Sequence, residues 1–457
     1  MRERDSQDRT RGFATACVDL VSFDGGTRAR QRVTRPDRYR HLELLGRDEI
    51  RIVRGGGYSY AAASFGANAV VQDFRAFDRI LGFDAEHGIL ECEAGATLGK
   101  INALAVARGW YLPVQAGYPK ITIGGSIAAD IHGKNQFRDG TFRRQVDAIR
   151  LLHPHHGTLT LNGQENARLF DLTCGGLGLT GHVLSARLRL ARLPSRQVTL
   201  RRQRIERLED TLRLLEEQAA GAAFVYTWQN LTVSDDTFGR GFVYVGQFLA
   251  NGDGPRGRPP GRLRAIDAAR RARLGLPLLN RLTTRGFNQV YERVQAMGPA
   301  ATEVDLFDML FPIARKAVYY YLFGARGFHE YQVIIPPDAV DTVAAELRRF
   351  LRTNPVPISL GSCKLFRGTQ SQLRFDGTGL CLTLNFPRDT GGERFARWLD
   401  GLLVREAGGL PNIVKDSRLS REIVRHSFPN YDAFRDELSR FDPKRIYRSE
   451  VSERLGL

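Results

Sequence analysis

Two glycine-rich segments supply the backbone chemistry that holds a phosphate group. Residues 54–60 read RGGGYSY, and residues 122–135 read TIGGSIAADIHGKN. Glycine has no Cβ, so successive main-chain N–H groups can turn toward one anion. One such loop is a weak signal. Two separated loops, the second ending in His-Gly-Lys-Asn, predict a long dinucleotide held at several points.

A third glycine-rich segment, residues 176–181, reads GLGLTG and matches the dinucleotide fingerprint G-x-G-x-x-G. In a nicotinamide-binding Rossmann domain that fingerprint opens a helix. The residues that follow here, 182–193, alternate apolar and polar side chains with the period of a strand. The sequence therefore favours a turn that packs close to a cofactor already held by the other two loops.

These three segments, in their order and spacing, resemble the flavin-binding domain of the vanillyl-alcohol-oxidase superfamily. The most specific matches are residues 131–135 (IHGKN) and 415–418 (KDSR), and shorter ones lie at 114–117, 327–332 and 364–366. The resemblance runs nearly the whole length of the chain. It implies an α+β, two-domain FAD-binding flavoprotein of the PCMH type, with an antiparallel-sheet substrate domain covered by helices. It also implies an FAD-dependent oxidoreductase that acts on CH–OH groups.

The resemblance assigns cofactor contacts to matching positions of this chain. The predicted FAD-binding residues are Gly55, Gly56, Gly57, Tyr58, Ser59, Tyr60, Gly117, Thr122, Gly124, Gly125, Ala128, Ala129, His132, Asn135, Gly178, Val183 and Lys415. Residues 55–60 are expected at the pyrophosphate, and Val183 near the adenine. Asn135 is expected to hydrogen-bond the cofactor or to fix its loop. Many family members bond the flavin to a His just after the glycines, and Tyr58 stands there in this chain, so non-covalent FAD is expected.

Oxidation of a secondary alcohol needs a path for the hydride, an acceptor for the hydroxyl proton and positive charge beside the reduced flavin. By resemblance Lys415 supplies that charge and orients the substrate hydroxyl, and the alternative is an ion pair with Asp416 or another acid. His132 is a candidate proton relay, because the unperturbed pKa of histidine suits that task. The alternative for His132 is a buried ring hydrogen-bonded to backbone groups.

Pocket positions separate this chain from the family pattern. The predicted substrate-binding residues are Lys134, Gln332, Lys364, Thr383 and Asn385. Thr383 stands in the place of a family cysteine, with Cys381 two residues earlier on the same strand face. Glu330 replaces a neutral amide. Phe323 replaces a tyrosine beside Tyr319-Tyr-Tyr321, a cluster that suits core or cap packing and also a polyprenyl tail.

Hydrophobic periodicity gives the elements that must position these residues. A chain of 457 residues exceeds one hydrophobic core, so more than one domain is expected. Strand patterns lie at 50–53, 69–73, 89–93, 148–152, 158–161, 224–229 and 241–247, and helical patterns at 98–108, 208–217 and 340–351. The predicted division is an FAD-binding domain over 1–195, a substrate-binding or cap domain over 196–409, and a segment over 410–457 that returns to the FAD domain.

The net charge of +17 favours anionic partners. Residues 254–285 hold nine arginines and one acid, Asp267. This Arg-rich loop is predicted either as a solvated insertion or as a cationic surface in peripheral contact with an anionic membrane. No nucleic-acid-reading module accompanies the arginines, so nucleic acid is not an expected partner.

Cysteines and apolar runs bear on the compartment. The five cysteines show no C-x-x-C spacing, which predicts free thiols in a reducing compartment. We find no apolar run of about 18 residues and no signal peptide, so a cytoplasmic protein is expected, with peripheral contact at the inner membrane face left open. The histidines of residues 153–156 lack a second set of metal-ligand residues and predict a turn, so no metal is expected.

The function implied by the resemblance is removal of hydride from a sugar C2 hydroxyl. The expected substrate is a polyprenylphosphoryl ribose, oxidised to the 2-keto sugar as the first half of an epimerisation to arabinose for cell-envelope glycan synthesis. The expected partners are a short-chain dehydrogenase/reductase and a quinone or other electron acceptor. The alternatives are an oxidase or dehydrogenase of a soluble polyol or aldonolactone, and a non-catalytic basic protein that binds membrane or nucleic acid.

Overall fold

The N-terminal part of the chain folds into sheets that carry the glycine-rich segments. The computed structural model describes residues 15–232, 238–249, 277–314 and 317–457. The first strands are β1 Thr15–Val21, β2 Arg28–Thr34, β3 Arg51–Arg54, β4 Val70–Asp73, β5 Ile80–Asp84, β6 Ile89–Glu93, β7 Trp110–Tyr111, β8 Val146–His153, β9 Gly157–Asn162, β10 His182–Arg189 and β11 Ala191–Arg192. They form a four-stranded sheet of order β1-β2-β4-β3, a five-stranded antiparallel sheet of order β5-β6-β10-β8-β9, and a β7-β11 pair.

The described residues of this part include four short helices, and two of them contact strands of the five-stranded sheet. The four are α1 Leu98–Val106, α2 Ile123–Ala129, α3 Gln136–Asp139 and α4 Ala167–Thr173, with short 3₁₀ turns at Tyr39–Leu44 and Phe142–Gln145. The two that contact the sheet are α2 and α4. The side chain of Thr97 caps the first turn of α1. Leu98, Ile101 and Ala105 follow at helical spacing and are buried in the core, so the helix predicted over 98–108 is confirmed.

The third glycine-rich segment leads into a strand, as its alternating pattern predicts. β10 begins at His182 and pairs antiparallel with β8 and β6. Leu177 and Gly178 have positive φ angles of 57° and 78°, which place this segment in a turn. Residues 176–181 therefore do not open the helix that a nicotinamide-binding Rossmann domain requires.

The second part of the chain is one large antiparallel sheet. Its strands are β12 Gln197–Ile205, β13 Phe224–Gln229, β14 Gly241–Phe248, β15 Ala301–Asp305, β16 Phe328–Ile335, β17 Leu360–Phe366, β18 Gly379–Pro387 and β19 Leu410–Pro411. Their order is β15-β12-β14-β13-β17-β18-β16-β19. The strands predicted at 224–229 and 241–247 are confirmed as β13 and β14.

Three of the described helices in the second part cover one face of this sheet. The helices of the second part are α5 Thr211–Ala219, α6 Arg281–Met297, α7 Leu306–Leu310, α8 Ala317–Tyr321, α9 Val340–Thr353 and α10 Thr390–Leu399, with 3₁₀ turns at Leu208–Asp210 and Pro337–Ala339 and a π-helical turn at Asp400–Glu406. The three on this face are α5, α9 and α10. Val343 and Leu347 of α9 and Phe395 of α10 pack against Val333 and Leu382 of the sheet. The α+β architecture with a helix-covered antiparallel sheet is therefore confirmed.

The last helices pack back onto the N-terminal part. They are α11 Arg421–Ser427, α12 Tyr431–Phe441 and α13 Glu450–Leu455. Phe434 and Val451 share a hydrophobic core with Ile52 and Val71 of the four-stranded sheet. The backbone N–H of Arg51 donates to the Ile446 carbonyl at 2.9 Å. These contacts agree in direction with the predicted return of the chain, and the domain boundaries at 195 and 409 stay predictions.

Three further predictions concern features outside the sheets. Residues 254–276 of the Arg-rich loop lie outside the described residues, and the loop's last residues begin α6. The five cysteines have free thiols, and residues 153–157 form the predicted turn between β8 and β9. In the described ranges no helix has the length and apolar character to cross a bilayer, and no three His, Cys, Asp or Glu side chains could hold a metal ion.

Candidate functional site

Charged side chains from three separate parts of the chain meet beside the face of the large sheet that lies opposite α9 and α10. The Lys364 ammonium on β17 lies 3.3 Å from His132 Nε2, which belongs to the second glycine-rich segment. Lys415, four residues after β19, places its ammonium 2.8 Å from Glu330 Oε1 on β16. In addition to desolvation, which is the largest cause, the charges of Lys364 and Lys415 both lower the pKa of His132, and the charge of Lys415 also lowers the pKa of Lys364. We call His132, Glu330, Lys364 and Lys415 the charged cluster.

Strand register explains why these residues share one face. In β16, β17 and β18 alternate side chains point to opposite faces, and residues paired across strands point the same way. Glu330 pairs with Asn385, Gln332 with Thr383, and Lys364 with Cys381. The predicted pocket residues Gln332, Lys364, Thr383 and Asn385 therefore lie together on the face opposite α9 and α10.

A chain of hydrogen bonds holds the turn that presents Lys415. Asn412 donates from its side-chain amide to Gln332 Oε1 at 2.7 Å, and Gln332 donates to Thr383 Oγ1 at 2.9 Å. The backbone N–H of Lys415 donates to the Asn412 carbonyl at 3.1 Å. The side chains of Gln332 and Thr383 thus hold Lys415 in position. The sequence predicted these two residues only as substrate contacts.

The sequence alternative for Lys415, an ion pair with Asp416 or another acid, is confirmed with another acid, Glu330. Asp416 pairs with Arg418 at 2.6 Å, whereas Lys415 pairs with Glu330. Glu330 Oε2 also accepts a hydrogen bond from Asn385 Nδ2 at 3.1 Å, which fixes the carboxylate. Sequence reasoning noted Glu330 only as a departure from the family pattern. Glu330 lies two residues before Gln332, the spacing that puts two side chains on the same face of a strand, and this spacing could have placed it in the site.

His132 is predicted from the sequence as a proton relay because the ordinary pKa of histidine suits that task. Its surroundings in the structure do not leave that pKa unchanged. The ring centroid lies 5.0 Å from that of Phe366 and 5.4 Å from that of Phe375. Desolvation, followed by the charges of Lys364 and Lys415, lowers the pKa of His132 well below its usual range. The imidazole is therefore neutral at physiological pH and can accept a hydrogen bond from the Lys364 ammonium. Desolvation also lowers the pKa of Lys364.

Aromatic side chains form a wall beside Lys415. The ammonium of Lys415 lies 3.7 Å from the centroid of the Tyr60 ring, within cation–π range. The Tyr60 hydroxyl lies 3.4 Å from that of Tyr320, and both rings pack with Phe23 and Phe328. The Tyr60 side chain therefore belongs to this wall, which we call the aromatic wall, while its backbone amide stays the predicted pyrophosphate contact.

The charged cluster is less buried than the sheet around it. His132 and Lys364 are half-buried, and the side chain of Lys415 is 26% exposed. Every residue of β16 and β18 is buried, by contrast. The cluster is therefore not closed off completely from solvent.

The two glycine-rich segments predicted to share one cofactor are in contact. A Cβ added at Gly55 would lie 2.1 Å from Thr122 Oγ1, so only glycine permits this approach. Thr122 is also the N-cap of α2, because its Oγ1 accepts a hydrogen bond from the Gly125 N–H at 3.3 Å. Gly56 and Gly57 are partly exposed, which leaves their backbone accessible. A cradle of this kind fits the pyrophosphate of FAD.

The third glycine-rich segment closes onto the other end of α2. The N–H of Leu177 donates to the Ala128 carbonyl at 2.8 Å, and that of Gly175 donates to the Ile127 carbonyl at 2.8 Å. A Cβ at Gly178 would meet only Ile52 Cδ1, at 3.9 Å. All three segments therefore border α2, and the residues present fit an extended dinucleotide such as FAD.

Other predicted site residues have contacts of their own. Asn135 donates to the Pro113 carbonyl at 3.0 Å and to Asp139, so its side chain fixes the loop. The Lys134 ammonium lies 4.5 Å from the Tyr226 ring centroid and donates to the Met309 carbonyl, contacts that lie outside the charged cluster. The remaining predicted residues have the following placements: the Tyr58 ring packs against Tyr118 at 4.8 Å, Ser59 Oγ lies 3.4 Å from the Val414 carbonyl, the Gly117 carbonyl accepts from Ile313, Gly124 donates to Ala94, Ala129 is half-buried, and Val183 is in the core.

Comparison with known proteins identifies the region that contains the first two glycine-rich segments. Residues 42–161 match the family model of an FAD binding domain. The chain is 26% identical over 424 residues to decaprenylphosphoryl-beta-D-ribose oxidase of Mycolicibacterium smegmatis, covering 89% of each chain. It is 28% identical over 379 residues to an uncharacterized protein of Streptomyces coelicolor, covering 79% of this chain and 100% of that protein. A D-lactate dehydrogenase of Anaerostipes hadrus is 23% identical over 167 residues, which is 35% of each chain.

Proposed function

We propose that this chain, an FAD-dependent oxidoreductase with an FAD binding domain, oxidises the C2 hydroxyl of a polyprenylphosphoryl ribose to the 2-keto sugar. The reaction removes a hydride from C2 and a proton from the hydroxyl, and FAD supplies the two-electron acceptor. The similarity over 89% of the decaprenylphosphoryl-beta-D-ribose oxidase supports this substrate class.

The observation that carries the proposal is the convergence of His132, Lys364 and Lys415 in one place beside the large sheet. One of these residues follows the glycine-rich cradle, and the others come from the large sheet and the segment after it. A substrate bound there would therefore lie between the cofactor domain and the sheet. Positive charge there suits both a substrate phosphate and the negative charge that develops during hydride removal.

Lys415 is the proposed source of that charge beside the flavin. Glu330 and the Tyr60 ring hold the ammonium in one orientation, so little reorganisation is needed when charge develops. The same ammonium can donate a hydrogen bond to the substrate hydroxyl and fix which carbon faces the cofactor. Asn385 restrains Glu330 from the other side.

The hydroxyl proton is proposed to pass to the Lys364–His132 pair. Desolvation lowers the pKa of both groups, so the pair holds a neutral nitrogen that can accept the proton. The contact of 3.3 Å between the two nitrogens lets one group pass the proton to the other. His132 is thus a relay that operates in its neutral form.

FAD is proposed to bind without a covalent link. Tyr58 occupies the position after Gly57 where related flavoproteins attach the ring through His, and its ring packs against Tyr118. Gly55, Gly56 and Thr122 would hold the pyrophosphate. A quinone or another acceptor would reoxidise the flavin, and a separate short-chain reductase would reduce the keto sugar.

Product analysis tests this proposal. FAD-loaded protein is incubated with polyprenylphosphoryl ribose and an artificial electron acceptor, and the lipid is analysed by mass spectrometry. We expect a product lighter by two hydrogen atoms that incorporates deuterium on reduction with borodeuteride at C2. Unchanged lipid, together with turnover of ribitol or an aldonolactone, would refute the proposed substrate.

Glu330 favours that soluble substrate as the second candidate. Its carboxylate is 7% exposed and pairs with Lys415, which reduces the positive charge available for a phosphate. A neutral polyol would be less affected by this change than a lipid phosphate. The same assay with polyols, run beside the lipid substrate, distinguishes the two.

A further inference from the structure

Helix α6 presents a row of apolar side chains to solvent. Of the seven large apolar side chains that are exposed in the described residues, six lie within residues 278–297. They are Leu278, Leu282, Phe287, Val290, Val294 and Met297, with exposures between 53% and 84%. At 3.6 residues per turn, the five that belong to α6 fall on one side of the helix. We call them the α6 apolar face.

The opposite side of α6 is polar and is the side that contacts the protein. Thr284 and Asn288 are buried, and Asn288 donates to the Ile358 carbonyl at 3.0 Å. Tyr291 packs on Trp228 with ring centroids 4.6 Å apart, and Gln295 accepts a hydrogen bond from Arg202. The helix is therefore held on the sheet without its apolar face, which is the reverse of an ordinary surface helix. Folding alone does not account for that face.

Positive charge lies beside the α6 apolar face. Arg281, Arg285 and Arg293 are exposed. Residues 254–276, which hold seven arginines and Asp267, precede the helix in the sequence and lie outside the described residues. An apolar stripe with arginines along its edge is the composition of helices that lie in the interface of an anionic bilayer.

We propose that the α6 apolar face docks the protein onto an anionic membrane, with Leu282, Val290, Val294 and Met297 entering the acyl boundary. A second copy of the chain fits less well, because a symmetric contact through this face would bring the arginines of both copies together. The net charge of +17 opposes such a dimer and favours a bilayer of anionic lipid. This proposal goes beyond the proposed function, since docking needs no sugar substrate.

The start of α6 is attached to the functional site. The N–H groups of Leu278 and Leu279 donate to the Leu322 carbonyl at 2.9 and 3.2 Å. Leu279 is buried in the aromatic wall with Tyr60 and Tyr320. A bilayer at α6 would therefore adjoin that wall, and a lipid-linked substrate could reach the site without leaving the membrane.

Vesicle sedimentation tests the docking surface. The FAD-loaded full chain is mixed with vesicles of phosphatidylglycerol and phosphatidylcholine, or of phosphatidylcholine alone, in the absence of substrate. A variant carrying Leu282→Ser, Val290→Ser, Val294→Ser and Met297→Ser is compared with the wild type. Leu81→Ser is the matched control, because Leu81 is 43% exposed and lies outside α6.

We expect the four-residue variant to bind anionic vesicles at least tenfold more weakly, and Leu81→Ser to bind like the wild type. Arg285→Ser with Arg293→Ser should reduce binding in the same direction, and Arg397→Ser on α10 should not. Circular dichroism confirms folding, and the arginine pair decides the question where the apolar variant fails to fold. Equal binding by all variants, or a dimer that the four-residue variant dissociates, would overturn the proposal.

Discussion

The charged cluster and the α6 apolar face both reverse the usual distribution of side chains. On β16 and β17 the chain encloses Glu330 and Lys364 against a sheet, while on α6 it exposes Val294 and Met297. The enclosed charges have partners within the chain, such as the Glu330–Lys415 ion pair. The exposed apolar side chains have none among the described residues that would cover them. The difference indicates that the first region is nearly complete without a partner, whereas the second requires another surface.

This contrast separates two kinds of functional signal. Natural sequences agree with the hydrophobic pattern of their fold except where function requires otherwise. A buried charge costs stability unless it is paired, so pairing inside the molecule accompanies the charged cluster. An exposed apolar side chain costs little in the monomer, so the α6 apolar face can persist without compensation.

Replacing Lys415 should give the largest expected effect, and it should affect flavin reduction without affecting vesicle binding. Lys415→Ala removes the positive charge proposed to act beside the flavin, so the rate of flavin reduction by substrate should fall about 100- to 1,000-fold. Vesicle binding should be unchanged. Stopped-flow absorbance and vesicle sedimentation measure the two effects. Lys444→Ala is the control, because Lys444 is exposed and pairs only with Asp48 at the surface.

Replacing His132 should affect only the charged cluster. His132→Gln removes the proton relay and should slow flavin reduction about 100-fold. Because the pKa of His132 lies well below its usual range, protonation should not remove the relay between pH 8 and pH 6. The wild-type rate should therefore show no decline that His132→Gln abolishes in this range. A decline near pH 6.5 that the variant lacks would show that the ring titrates normally.

A substitution in the glycine cradle should have the next largest effect, and that effect should be on FAD binding. Gly55→Ala places a Cβ against Thr122 Oγ1, so the two glycine-rich segments must separate and the affinity for FAD should fall at least about tenfold. Fluorescence titration of the apoprotein with FAD measures the change. Gly46→Ala is the matched control, because a Cβ there meets nothing within 4 Å. Equal FAD affinity in both variants would contradict the cradle.

The free energy of unfolding should show the smallest effects. We expect a larger loss from a substitution in the charged cluster than from one in the α6 apolar face. Glu330→Ala leaves Lys415 and Asn385 without their partner and should lower the free energy of unfolding by about 1–3 kcal/mol. Val294→Ser on the α6 apolar face should change it by less than about 0.5 kcal/mol. Urea unfolding compares the two variants. A larger loss for Val294→Ser would mean that the α6 apolar face supports the fold.

The sequence predicted most elements of the fold because they follow simple periodicities. The apolar spacing of 98–108 and the alternation after Gly181 gave α1 and β10. Without that alternation, the fingerprint G-x-G-x-x-G would have predicted the helix of a nicotinamide-binding Rossmann domain. The pocket residues on β16 to β18 were found through family motifs, and strand period explains why they lie together.

The remaining features depend on tertiary contacts that the sequence does not encode locally. The pKa of His132 follows from Phe366, Phe375 and two lysines more than 200 residues away in the chain. The choice of Glu330 over Asp416 as the partner of Lys415 follows from strand register. The inverted orientation of α6 is also a tertiary property, because helical periodicity identifies an apolar side but not which side faces solvent.

The most direct test of the charged cluster is anaerobic stopped-flow absorbance of the FAD-loaded protein mixed with polyprenylphosphoryl ribose. The yellow band of oxidised flavin should bleach in the wild type, and bleaching should slow sharply in Lys415→Ala while Lys444→Ala behaves normally. A wild-type protein that stays yellow with the lipid would refute the proposed substrate. Bleaching at the same rate in the wild type and in Lys415→Ala would contradict the central claim that this cluster performs the oxidation.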